Sequence, residues 1–235
     1  MTKYPFETHC NRVKAFDVIY EDNHLLVVNK TAGILVQGDA TADKTLGDYA
    51  KDYIAKKYHK PGAVFLGIVH RLDRPVSGLV VLARTSKALE RMNKQFRERS
   101  TEKTYWAIVK QKPKKESDTL IHWLKKDPDK NKTTAFSKEM PQTQRAELSY
   151  QIIKPVGDHW LLEVKPITGR PHQIRVQLAN MGCPIRGDLK YGYPEPTHNA
   201  SICLHARSLS FLHPVKKEKL NLEAPVPSEK YWDLI

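Results

Sequence analysis

The sequence predicts an α+β domain built around a mostly antiparallel sheet. Three observations lead there. Short apolar or alternating runs bounded by turn residues outnumber helical stretches. Three segments carry apolar residues at helical spacing, placed between strands and not in a block. No internal repeat, heptad pattern or low-complexity tract interrupts this order.

The elements follow in turn. Phe16–Tyr20 and Leu25–Lys30 read as strands around the polar turn Glu21–His24. Gly33 and Gly38 break the next stretch into loops. Thr45 starts a helix with Leu46, Tyr49, Ala50, Tyr53 and Ile54 on one face and Asp48 as its capping-box partner. Val64–Val69 is an apolar strand that delivers the chain to a charged loop, and Leu79–Ala83 is the strand leaving it. Ser86 caps a helix whose buried stripe is Leu89, Met92 and Phe96.

Lys103–Val109 is a strand with Thr104, Trp106 and Ile108 on one side and Tyr105 on the other. Residues 110–138 hold nine lysines against four acids, a pattern for a hairpin with exposed basic loops. Lysines there suit phosphates, and they equally suit an edge that must resist strand-on-strand association. Ala146–Ile153 and His159–Val164 are strands joined by a turn at Pro155–Asp158. Thr168-Gly169-Arg170-Pro171 opens a helix with proline in its first turn, a stripe of Ile174, Leu178 and Met181, and a stop at Gly182. Cys203–Leu212 is a last strand.

At 235 residues the chain buries a core as one large domain or two closely joined lobes. Its 39 Lys and Arg against 26 acids give a net charge of +13. That excess favours a polyanionic partner, although a merely basic surface is equally compatible with charge alone. Three scattered cysteines (Cys10, Cys183, Cys203) form neither a disulfide framework nor a zinc knuckle and suit a reducing compartment. The start lacks the apolar run of a signal peptide, and no segment is long enough to span a membrane. A cytoplasmic protein is expected, with no membrane association.

The residues that point to chemistry lie in His70-Arg71-Leu72-Asp73-Arg74-Pro75-Val76-Ser77-Gly78, which runs straight into an apolar strand. A turn or capping aspartate, the usual fate of Asp near a strand end, leaves these flanking charges without a reason. An ionised carboxylate such as Asp73 can instead act as nucleophile or base at a sugar carbon without a metal.

This segment resembles the active-site loop of the RluA-type pseudouridine synthases, RNA-modifying enzymes that isomerise uridine. Lys103–Val109 resembles the family's strand bearing an active-site tyrosine. Thr168–Gly192 resembles its helix and following loop, and Leu204–Pro214 its closing strand. With the opening strands, the similarity runs from about residue 16 to residue 214. It implies a pseudouridine synthase fold with flanking helices and a central cleft. Residues 1–15 are then an N-terminal extension and 16–235 the catalytic domain. The small RNA-binding domain many relatives carry ahead of it is not expected, so RNA affinity falls to the catalytic domain itself.

The resemblance assigns roles residue by residue. Asp73 promotes cleavage of the N-glycosidic bond before uracil turns and rejoins ribose through C5. A covalent bond to ribose or base and removal of a sugar proton are both compatible with it. Arg175 pairs with Asp73, where a guanidinium favours and orients a carboxylate; on the residues alone, a surface arginine beside the helix stripe fits as well. Tyr105 stacks on the flipped pyrimidine and offers a hydroxyl, against the base rate of a core tyrosine in a strand. Arg71 fills the space left by the extruded base or contacts a phosphate.

Ser77 and Gly78 shape the turn, Ile174 forms an apolar wall, and His70 and Arg170 complete the substrate-facing set. As side chains, His70 and His172 read as structural, because Arg71, Arg74 and Arg170 around them repel a cation and no metal set is completed. Val76, Gln177 and Cys183 depart from residues common in the family.

The expected function is isomerisation of uridine in ribosomal or transfer RNA by a monomer needing no cofactor. A non-catalytic RNA-binding or RNA-folding protein on the same scaffold is the first rival. A metal-dependent nuclease or hydrolase using Asp73 and the histidines is the second.

Overall fold

The paired apolar runs at Leu25–Lys30 and around Leu79–Ala83 are the centre of the architecture, because both of their faces are covered. The computed structural model describes residues 14–38 and 42–235. Residues 1–13 of the expected N-terminal extension, Cys10 among them, lie outside the described residues.

In chain order the elements are β1 (Phe16–Glu21), β2 (Leu25–Lys30), α1 (Leu46–Lys57), β3 (Gly67–Ile68), β4 (Ser77–Ala83) and α2 (Ser86–Glu98). Then follow β5 (Glu102–Val109), β6 (Ser117–Asp127), β7 (Lys132–Phe136), β8 (Gln144–Val156) and β9 (His159–Pro166). The chain closes with α3 (Gln173–Asn180), a 3-10 turn at Leu189–Tyr191, β10 (Leu204–Leu212) and β11 (Lys219–Glu223). The strands form one sheet in the order β1-β2-β4-β10-β5-β9-β8-β6-β7, with β11 on β10 and β3 on β4. Every pairing between named strands is antiparallel except β4 with β10. The α+β reading holds.

All seven residues of β4 are buried. Leu26, Val28, Val80 and Leu82 face the larger core with α1, while Leu25, Val27, Leu79 and Val81 face a second core under α2. A strand covered on both faces reads as a continuous apolar run, as these do. α1 starts with the expected reciprocal cap between Thr45 and Asp48, and Leu46, Ala50 and Ile54 are buried. The hairpin expected in the lysine-rich stretch is β6–β7, and its β6 edge also pairs with β8.

Several elements differ from expectation. The Val64–Val69 run shrinks to the two residues of β3, and Phe65 is half exposed. One edge of β4 is taken by β2 along its length; the other is shared, its start by β10 and its end by β3. Only Leu82 and Ala83 are left to pair with β3. Thr85, not Ser86, caps α2, its hydroxyl accepting from the Ala88 amide. α3 begins at Gln173, so Pro171 precedes the helix and does not open it.

α3 is also buried nearly all round, from Gln173 through Leu178, instead of along one stripe. β6 and β7 cover its far side: the Gln177 amide donates to the Leu120 carbonyl, and Thr133 donates to that of Pro171. β11 was not foreseen at all. Among the described residues no helix is long and apolar enough to cross a membrane.

Candidate active site

The loop from β3 to β4 is fixed at both ends of its charged stretch. Leu72 and Val76 are in the core, the Asp73 carbonyl accepts from the Val76 amide, and the Arg74 carbonyl accepts from that of Gly33. Anchoring the apolar neighbours leaves Asp73 turned toward the surface, its side chain 30% exposed. The parallel step supplies the tyrosine. Gly78 of β4 pairs with Ala206 of β10, and Ala206 pairs with Tyr105 of β5, so the Asp73 loop and Tyr105 meet across one strand.

Arg175 reaches the same point from α3. It is 5% exposed, which removes the surface-arginine alternative. Its Nη1 donates to Asp73 Oδ2 at 2.9 Å. Its Nε and Nη2 donate to the two carboxylate oxygens of Asp188 at 2.7 and 2.8 Å. This fork is the two-point geometry that fixes a guanidinium in its plane. The Tyr191 ring lies 5.1 Å from the guanidinium carbon and closes one face. Burial works against the charge, but the bonds and charges of Asp188 and Asp73 outweigh it and hold Arg175 above even its ordinary value, so it remains a cation.

Tyr105 is displaced upward by burial first and by the Asp73 charge second. At neutral pH it is therefore a phenol, a hydrogen-bond donor and not a phenolate base.

The remaining expected residues divide. Ile174 is buried in α3 beside Arg175, consistent with an apolar wall. Arg71 is exposed, its Nη1 reaching Gln37 at 3.3 Å. Arg170 is turned to β8, where Nε donates to the Arg145 carbonyl. His70 accepts the Val81 amide at Nε2 and stacks on Phe96, and burial lowers it to about 3. It serves the sheet, not the cleft. Ser77 likewise is buried and bonded to His205. Gly78 has φ of +114° and lies against the Ala206 backbone, the close approach that joins β4 to β10.

Three participants were missed. Asp188 carried no signal beyond its place in a resembling segment. Tyr191, in the same segment, was not singled out. Lys30 ends a strand and looks solvent-bound, yet it is fully buried. Its ammonium donates to the carbonyls of Thr31, Ile34 and Arg74, tying β2 to the residue after Asp73.

Burial lowers Lys30 to about 7, with Asp73 opposing that shift. Between that value and the ordinary 10.5 the unfolded chain binds more protons, so this group's contribution to stability rises with pH. Urea unfolding at pH 7 and 9 should show a gain of about 1–3 kcal/mol in the wild type that Lys30→Met lacks. Equal pH slopes in the two proteins contradict this assignment.

A positive rim surrounds the centre. Lys126 and Lys190 are close enough to act electrostatically on His172, which itself lies beside Asp73. Lys190 is held to the β6–β7 turn through the Asn131 carbonyl, and Lys132 lies over the Tyr191 ring.

The site thus brings together a carboxylate with one edge fixed by a buried arginine, a protonated tyrosine and a rim of cations. The chain belongs to the RNA pseudouridylate synthase family, whose model matches residues 24–180. It is 33% identical to a ribosomal large subunit pseudouridine synthase C of Vibrio cholerae, over 89% of this chain and 65% of that protein. It is also 33% identical to a ribosomal large subunit pseudouridine synthase D of Zymomonas mobilis, over 91% of this chain and 70% of that one.

The chain thus spans roughly two thirds of the length of such relatives. Among solved structures, the human RNA pseudouridylate synthase domain containing 4 superposes with a TM-score of 0.74 at 26% identity, covering 90% of this chain and 88% of the other.

Proposed function

We propose that this protein converts uridine in RNA to pseudouridine, with Asp73 as the catalytic carboxylate. The observation that carries the reading is the 2.9 Å contact of Arg175 with Asp73 Oδ2, made by a guanidinium that Asp188 already holds. Among the described residues no hydrogen bond reaches Oδ1, which leaves that oxygen for the substrate.

In the reaction the N1–C1′ bond breaks, uracil turns, C5 bonds to C1′, the C5 hydrogen leaves as a proton and the freed N1 ends protonated, so the product is an isomer of the substrate. Nothing is oxidised or reduced, so the chemistry calls for no redox cofactor. Tyr105 stacks on the uracil and donates from its hydroxyl. A uridine in structured RNA must leave its stack to reach Asp73. The exposed guanidinium of Arg71, two residues from the carboxylate, suits the vacated space.

The rim lysines and the +13 charge favour RNA as partner. The names of the relatives favour large-subunit ribosomal RNA over transfer RNA. We take the working form to be a cytoplasmic monomer that meets RNA through this domain. The isomerisation reading is preferred to a pure RNA-binding role because binding alone gains nothing from a carboxylate beside phosphates.

Incubating ribosomal and transfer RNA with the protein, then separating the digested nucleosides, tests the reading. Pseudouridine at a defined position is expected. Tyr105→Phe divides the tyrosine's roles: RNA affinity within about threefold but product formation slowed by about 10- to 100-fold is expected if the hydroxyl acts. Unchanged turnover would leave it only stacking.

A further inference from the structure

The side chain of His172 is 9% exposed, and its Nε2 lies 3.9 Å from Asp73 Oδ2, the oxygen that also accepts from Arg175. The proton positions on this ring follow from its neighbours. The Thr133 amide can only donate, and it donates to the Tyr191 hydroxyl oxygen at 2.9 Å. The Tyr191 proton is then free for His172 Nδ1, 2.7 Å away. With Nδ1 accepting, the neutral imidazole carries its hydrogen on Nε2, facing the catalytic carboxylate.

The backbone adds a second observation. His172 sits at the N-cap of α3 with φ of 54° and makes no side-chain cap. The left-handed region costs any residue with a Cβ relative to glycine. With no cap made by the side chain, the imidazole does not serve the helix start. The imidazole is held there by Tyr191 and directed at Asp73.

Resting on the pseudouridine reading, we propose that His172 is a positioning residue of the isomerisation, its Nε2–H fixed by Tyr191 to hold the Oδ2 edge of Asp73 beside Arg175. One hydrogen bond from Arg175 and one N–H dipole from His172 on the same edge define which oxygen stays free. At 3.9 Å the contact is electrostatic and not a hydrogen bond, so it steers the carboxylate without taking the place of Arg175. The charged groups acting on the ring are Asp73 from the loop, Arg175 from α3, Lys190 beside the 3-10 turn's Tyr191, and Lys126 from β6. Burial and the three cations keep the imidazole neutral against the pull of Asp73.

Two amides separate the ring's nitrogens. Glutamine places its NH2 near the position of Nε2, whereas asparagine reaches only that of Nδ1 and suits a left-handed backbone. Single-turnover tritium release from RNA labelled at uracil C5 should fall about 10- to 100-fold in His172→Asn, with RNA affinity and melting temperature near wild type. His172→Gln should recover most of that rate. An Asn variant as fast as wild type, or Gln and Asn equally slow, overturns the proposal and leaves a structural histidine.

A second measurement does not need activity. Nitrogen NMR of the His172 ring should show Nε2–H in the wild type. Its titration should move to lower pH in Asp73→Asn, because the carboxylate charge that raises it is gone. No movement contradicts the contact. A wild type that releases no tritium while His172 still responds to Asp73→Asn removes the pseudouridine reading and keeps the pairing.

Discussion

Asp73→Asn is expected to slow product formation by at least about 10³-fold while leaving a folded protein that still binds RNA. Asparagine can keep an oxygen toward Arg175, but the free Oδ1 edge becomes an uncharged NH2 without the electron pair the reaction needs. The fold survives because Arg175 keeps its two bonds to Asp188 and is not left as an isolated buried charge. A loss of about 1–2 kcal/mol is expected from the weakened third contact. RNA affinity should stay level or improve, since a negative charge has left a site that meets phosphates. Single-turnover rates, RNA titrations and thermal melts read the three effects separately. A rate within tenfold of wild type would remove Asp73 from the chemistry.

The largest effect on stability is expected from Gly78→Ala. A Cβ built there would lie 2.4 Å from the Ala206 oxygen, 2.5 Å from its nitrogen and 2.8 Å from its carbonyl carbon. These are backbone atoms of a paired strand, so no side chain can rotate to make room. The φ of +114° is itself barred to alanine. β4 and β10 would have to part at the one parallel seam linking the Asp73 loop to the Tyr105 strand. The expected cost is about 3–5 kcal/mol, or roughly 10 °C in melting temperature for a chain of this size. Gly62→Ala, with nothing within 4 Å of the added carbon, should melt as the wild type does. Equal melting of both variants would mean that the seam yields more easily than its geometry implies.

The residues told much of the fold and less of the site. The capping box at Thr45 and Asp48, the two-sided apolar strands and the lysine-rich hairpin were legible because each is a local pattern. β3 was overestimated because the apolar run of Val64–Val69 says nothing about which neighbour's edge is free. β11 was overlooked because Lys219–Glu223 alternates over only five residues, none of them β-branched or aromatic, and takes its place by pairing with β10.

At the site, Asp73 stood out by its charged surroundings, but its pairing with Arg175 spans 102 residues and came from resemblance alone. Lys30, Asp188 and His172 show why. Each is polar beside a turn or strand end, where sequence favours solvent, and each is instead enclosed by groups distant in the chain.

Tritium release from C5-labelled uridine in ribosomal RNA, wild type against Asp73→Asn, decides whether Asp73 drives the isomerisation. Forming the C5–C1′ bond must expel that hydrogen. Release by the wild type alone is expected, one equivalent per modified position, with the RNA chain intact and no free uracil. RNA bound with full affinity but no tritium released, or strand breaks in its place, would contradict it.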